Sequence, residues 1–274
     1  MPNGTKATYS EDAEVLNLPV GSALIKTFYY NNVQPSNTTK IVETRVMIRK
    51  ETGWIFAEYV WNNEQTDATL QTQGSTVSIS WLDQNSTPQS IDYKTPSSND
   101  CKMCHDNNGV SRPIGIKPQN LNNTFNYTSG AKNQLTKWVE FGYLENNLPA
   151  TIVSTVDYKD TSKSLDLRVR SYFDINCAHC HQDGGNADYV TIRMAFNQTT
   201  NSTKMGVCVG PALQIPGINH GLIVSPTNTS ESTLLYMMST NTPNFKMPRI
   251  GRTIAHQEGI QLVTEWINSL PACP

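Results

Sequence analysis

One five-residue pattern, present twice, constrains this 274-residue chain more than anything else in it. Cys101-Lys102-Met103-Cys104-His105 and Cys177-Ala178-His179-Cys180-His181 are both complete C-x-x-C-H patterns. Each sets two thiols one helical turn apart and an imidazole directly after the second. Thiols at that spacing add to the two vinyl groups of a haem, and the adjacent imidazole becomes the fifth ligand of the iron. Zinc and redox sites also use C-x-x-C pairs, but two pairs each followed directly by His are hard to explain as zinc sites. The expectation is two covalently bound haem c groups. Cys101, Cys104, His105, Cys177, Cys180 and His181 would hold them.

The chain has 6 Cys and 5 His. Four Cys belong to the patterns, which leaves Cys208 and Cys273 as an expected disulfide. Haem c is attached outside the cytoplasm, where disulfides persist, so a periplasmic, extracellular or cell-surface location is expected. Only 16% of residues are charged and the formal net charge is -2, with no cluster of Lys and Arg. Nucleic acid is therefore not an expected partner. No apolar run approaches the roughly 18 residues a membrane span needs. Met1 to Val20 lacks the basic-then-apolar layout of a signal peptide, so an exported protein would be numbered here in a mature or trimmed form.

The first hundred residues read as β. Ala23 to Tyr30 is a compact apolar and aromatic run. Val42, Val46 and Ile48 alternate with Glu43, Arg45 and Arg49, and Trp54 to Trp61 resumes the pattern after Glu51-Thr52-Gly53. This predicts a hairpin with Gly53 at positive φ. Val77, Ile79 and Trp81 alternate in another strand, Ser90 to Thr95 is one more, and Pro96 to Asp100 reads as a loop. Later, Ala131 to Leu144, Leu165 to Ile175 and Gln257 to Leu270 have helical spacing. The last carries an apolar stripe of Ile260, Val263, Trp266, Ile267 and Leu270, ended by Pro271.

The order helix, C-x-x-C-H, long loop, Met next to Pro, terminal helix resembles the small class I cytochrome c domain over about Leu165 to Leu270. The resemblance implies an α+β chain: a β-rich haem domain over residues 1–160, then an all-α cytochrome c-like domain over residues 161–274. It also implies Met247, in Lys246-Met247-Pro248, as the sixth ligand of the second iron, beside His181. The β-rich half is distantly similar to the β-sheet cytochromes that include hydroxylamine-oxidising enzymes, in which a five-coordinate haem is crosslinked to a Lys; Lys26 is the residue this suggests. More of the chain resembles a bacterial family of dihaem cytochromes. The matching segments include Leu24 to Phe28, Tyr59-Val60-Trp61-Asn62, Arg112-Pro113-Ile114-Gly115 and Met247 to Leu270. That family implies a redox protein without naming a substrate.

The first iron, with His105 as its proximal ligand, lacks an obvious sixth ligand. Residues 1–100 hold no His and only Met1 and Met47, and residues 106–165 hold neither type. His220, His179, His256, Met47, a neighbouring molecule or an open position all remain. The leading expectation for function is an electron-transfer protein serving other redox proteins. The alternatives are a haem enzyme acting on peroxide or a small nitrogen compound, and a subunit of an oligomeric or filamentous conduit.

Overall fold

The computed structural model describes residues 1–215 and 221–274. Six strands form one antiparallel sheet: β1 (Ala23–Val33), β2 (Thr38–Lys50), β3 (Gly53–Trp61), β4 (Ala68–Gln71), β5 (Gln73–Leu82) and β6 (Pro88–Ser97), in the order β4-β3-β2-β1-β5-β6. The predicted hairpin is β2–β3, with Lys50 paired to Gly53 and Gly53 at φ 123°. A side chain there would force a backbone conformation that L-residues avoid. The β1–β5 pairing is brief, at Val33 and Trp81, while β5 and β6 pair along their whole length.

The register shows which side chains share a face. Lys26 lies opposite Arg45, Arg45 opposite Glu58, and Met47 opposite Phe56. On this face Glu43 is fully buried and Glu58 is 4% exposed, while Lys26 stays exposed. The outer face carries Ile25, Ile55, Tyr59 and Leu70, all exposed.

Beyond the sheet come α1 (Ser98–His105), a small hairpin of β7 (Asp106–Asn107) and β8 (Val110–Ser111), α2 (Pro118–Leu121), a second hairpin of β9 (Thr124–Tyr127) and β10 (Gly130–Asn133), and α3 (Gln134–Glu140). The predicted helix at 131–144 is thus partly strand. The Asn133 side chain accepts from the Thr136 amide and starts the helix there. Such a cap satisfies one of the amides a helix start leaves unpaired. Likewise Pro96 to Asp100 is no loop: β6 runs to Ser97, which caps α1.

Among the described residues there is no all-α cytochrome c-like domain of the kind expected. After residue 161 the described chain has three helices, α4 (Leu165–Asn176), α5 (Thr233–Ser239) and α6 (Gln257–Ser269), plus two short 3₁₀ segments and parallel bridges at Val207–Val224 and Leu222–Ser232. The protein is a β-rich sheet with few helices, and the expected α+β division is corrected accordingly. The stretch from Asp183 to Asn228 is dense in Gly, Pro, Asn, Ser and Thr. These residues favour turns and compete with helical hydrogen bonds.

The helices that do form share a core. The Phe173 ring of α4 meets Trp266 of α6 edge-on, 5.9 Å between centroids. Leu262 joins the predicted stripe of Val263, Trp266 and Ile267, all at 3% exposure or less. Gly259 opens this contact, because a Cβ there would sit 2.2 Å from the Tyr172 hydroxyl.

Cys208 and Cys273 form the expected disulfide, 65 residues apart. It ties the chain end beyond α6 to the bridge-forming segment. Replacing both by Ser should lower the free energy of unfolding by about 2–4 kcal/mol. Urea unfolding of the oxidised protein and the double variant would measure it, and equal midpoints would refute it.

Candidate functional site

The first pattern is built onto a helix whose start is fixed twice over. Ser97 Oγ accepts from the Asp100 amide at 3.2 Å, and Asp100 Oδ2 accepts from the Ser97 amide at 2.8 Å. This reciprocal cap places Cys101, Cys104 and His105 along one side of α1. Helix α1 packs on β3 and β6, so the inward sheet face covers the pattern. The Phe56 ring lies 5.1 Å from the His105 ring. His105 Nδ1 is 2.8 Å from the Arg112 carbonyl. If Nδ1 donates there, Nε2 is left as the free ligating atom, which is how metal-bound imidazoles are commonly oriented.

The second pattern begins where α4 ends. Cys177 is the C-cap, and the amides of Cys180 and His181 both donate to the Cys177 carbonyl, at 3.1 and 3.0 Å. The expectation of a helix running into the pattern is met. Cys177, Cys180, His181 and Met247 all line one cavity of about 180 Å³. Its walls are mostly apolar, with Ile192, Met194 and Leu234 among them. His181 Nδ1 is buried without a hydrogen-bond partner. Burial pushes the His181 imidazole down to about 4 and lowers His105 as well. Both rings are therefore neutral at pH 7, the form that binds a metal.

The two patterns meet. Cys104 Sγ and Cys180 Sγ are 4.0 Å apart, and His179 brings a ring nitrogen within 4.8 Å of both sulfurs. The Cys180 thiol donates to Cys104, which pulls Cys104 down to about 4 and pushes Cys180 up. Hydrogen bonds to backbone carbonyls hold the two segments together: the Asn107 side-chain Nδ2 donates to the Asp183 carbonyl at 2.7 Å, and the Asn108 backbone amide to the Gly184 carbonyl at 2.9 Å. Sequence reading did not foresee this juxtaposition, because nothing local to either pattern encodes it.

The residues present suit a tetrapyrrole. The second cavity offers two thiols, an unpaired imidazole and a thioether around an apolar space. The first pattern sets two thiols and an imidazole oriented through Nδ1 on α1.

Among the histidines first considered for the open position, His220 lies outside the described residues. His256 lines the second cavity, with Tyr172 Oη 3.0 Å from its Nδ1 and Tyr158 Oη 3.3 Å from its Nε2. Lys26 sits on the inward sheet side, its ammonium 4.9 Å from the Phe28 ring. Sequence reading also missed the group of buried Glu43 and Glu58 with half-buried Arg45 and Tyr93 beside the first pattern. Tyr93 Oη donates to Glu43 Oε1 at 2.5 Å, and Arg45 pairs with the same oxygen. The only signal was alternation of charge along β2, which reads equally well as a solvated face. Comparison with family models, with curated proteins and with solved structures finds no match for this chain.

Proposed function

We propose that the protein is an extracytoplasmic dihaem c-type cytochrome that transfers electrons between redox partners. The observation that carries this reading is the meeting of two complete C-x-x-C-H patterns, sulfur to sulfur, at 4.0 Å. Bound haem would supply a one-electron Fe(III)/Fe(II) couple at each pattern. The chain's part is attachment and orientation. Cys101, Cys104, Cys177 and Cys180 would supply the thioether sulfurs and His105 and His181 imidazole nitrogens, with Met247 a further thioether lining the same cavity as His181. A thioether favours ferrous iron relative to an all-nitrogen set. The lining of the second cavity is mostly apolar. The Cys208–Cys273 disulfide supports the location, because such bonds persist in oxidising compartments. Among the described residues, no helix is long and apolar enough to cross a membrane.

Denatured protein from a host competent in haem c attachment should keep two haems per chain by mass spectrometry and by pyridine haemochrome absorbance. Met247→Ala should remove the weak red band of ferric His/Met ligation and lower one reduction potential. A chain that releases all haem on acid-acetone extraction would overturn the reading.

A second reading follows from the close group of Cys104, His179 and Cys180. Two sulfurs and a nitrogen suit zinc. Elemental analysis separates the two: zinc at one per chain, with no Soret band, would favour the structural metal.

A further inference from the structure

We infer that the outward face of strands β1–β4 is the interface of a symmetric dimer, covered by the same face of a second copy of this chain. Ile25 and Tyr29 of β1, Ile55 and Tyr59 of β3 and Leu70 of β4 are 36–70% exposed. The register gathers them on one side: Ile25 pairs with Val46, Val46 with Ala57, and Tyr59 with both Thr44 and Leu70. Side-chain contacts mark the same face. Thr27 Oγ1 and Thr44 Oγ1 are 3.3 Å apart, and Trp61 Nε1 donates to Thr44 Oγ1 at 3.0 Å.

An antiparallel sheet with one wet face normally sets apolar residues inside and polar ones outside. Here the alternation is reversed. Lys26, Glu43, Arg45 and Glu58 lie on the other side, towards α1 and the first pattern. Lys50 stands at the rim, where β2 turns into β3. A large side chain buries about 150–250 Å², so the five exposed residues together leave about 500 Å² bare. That is already near the largest patch a monomer usually shows, about 300–600 Å². Ala23 and Thr27, both exposed, and Thr44 and Trp61, both half-buried, extend it towards the roughly 800 Å² per partner that a stable pair of chains needs. The centre of the face carries no charge for an oppositely charged partner to complement, and it meets its own copy without like-charge repulsion. Sheets pack face to face about 10 Å apart. A face paired with itself about a twofold axis closes at two copies and does not grow into a filament. The first pattern lies on the far side of the sheet, so pairing does not touch it and does not depend on bound haem.

Sedimentation velocity of the full chain should show a dimer at about 10 μM, because interfaces of this size hold at micromolar concentration or below. Ile25→Lys, and separately Leu70→Lys, should raise the dissociation constant at least about 30-fold, since each buries a charge in the contact on both copies. Both side chains are exposed in the single chain, so the circular dichroism of the variants should match the wild type. Should Ile25→Lys misfold, Leu70→Lys on the short strand β4 carries the test. Val153→Lys places the same charge at a bare apolar side chain before α4 and should leave the dimer unchanged. A wild type that stays monomeric at about 100 μM overturns the inference. So does a dimer that both face variants leave intact, or one that Val153→Lys weakens equally. A monomer that floats with phosphatidylcholine vesicles, and fails to do so as Ile25→Lys, also overturns it and gives the face to lipid.

Discussion

Asp174→Ala is expected to reduce the free energy of unfolding by about 3–5 kcal/mol, the cost of breaking a buried ion pair from one side. Asp174 lies on α4, three positions before Cys177, and is 2% exposed. Its carboxylate accepts from Lys117 Nζ at 3.0 Å, from Asn120 Nδ2 at 3.2 Å and from the Phe196 amide at 3.0 Å. Truncation strands an ammonium and an amide hydrogen away from water. Lys117 is the N-cap of α2 and Asn120 lies within it; α2 follows the first pattern, so the same carboxylate ties the two halves of the site together. Asp174→Asn keeps the shape and one acceptor but leaves Lys117 without its counter-charge, and an intermediate loss is expected. Urea unfolding gives the numbers. A loss under about 1 kcal/mol for the alanine variant would show that the lysine relaxes into solvent and that the pair is not what joins the halves.

The second large effect is on pH dependence. Burial raises the Glu58 carboxyl from its usual range to about 7; the nearby Glu43 carboxylate adds to the rise, while Thr95 and Arg45 oppose it. Between about pH 4.5 and 7, the folded chain therefore holds a proton that the unfolded chain has released. The contribution of this group to stability is greatest at and below pH 4.5. It falls as pH rises towards 7 and then levels off. A shift of this size corresponds to about 3 kcal/mol. Glu58→Gln removes the charge that must be buried at high pH, and its amide can donate to Glu43 Oε2, which has no partner. The variant should match the wild type near pH 5 and exceed it by about 2–3 kcal/mol at pH 8. An identical difference at both pH values would show that Glu58 does not titrate in this range. The groups facing Glu58 are Thr95, Glu43 and Arg45, with Cys101 of α1 close by. The titration is thus next to the first pattern, and a redox couple there would feel it.

The residues by themselves determined the local chemistry and the local periodicities. The spacing of Cys101, Cys104 and His105, and of Cys177, Cys180 and His181, is a property of ten positions in the chain. The β2–β3 hairpin, the helix from Leu165 and the stripe through Val263, Trp266 and Ile267 were legible because backbone geometry repeats every two or 3.6 residues. The Cys208–Cys273 bridge followed from counting. Tertiary structure decided the rest. Alternation along β2 announced two faces but not which is inside, and here the charged face of Glu43 and Arg45 turned inward while Ile25 and Ile55 stayed exposed. The described residues between Asp183 and Asn228 did not become a helical domain, because turn-forming residues outnumber those that sustain a helix. Cys104, His179 and Cys180 came together across more than seventy residues through contacts such as Lys117–Asp174 and Arg112–Gln182. Pairings of that kind depend on the energy of the assembled chain, and no window of sequence contains both partners.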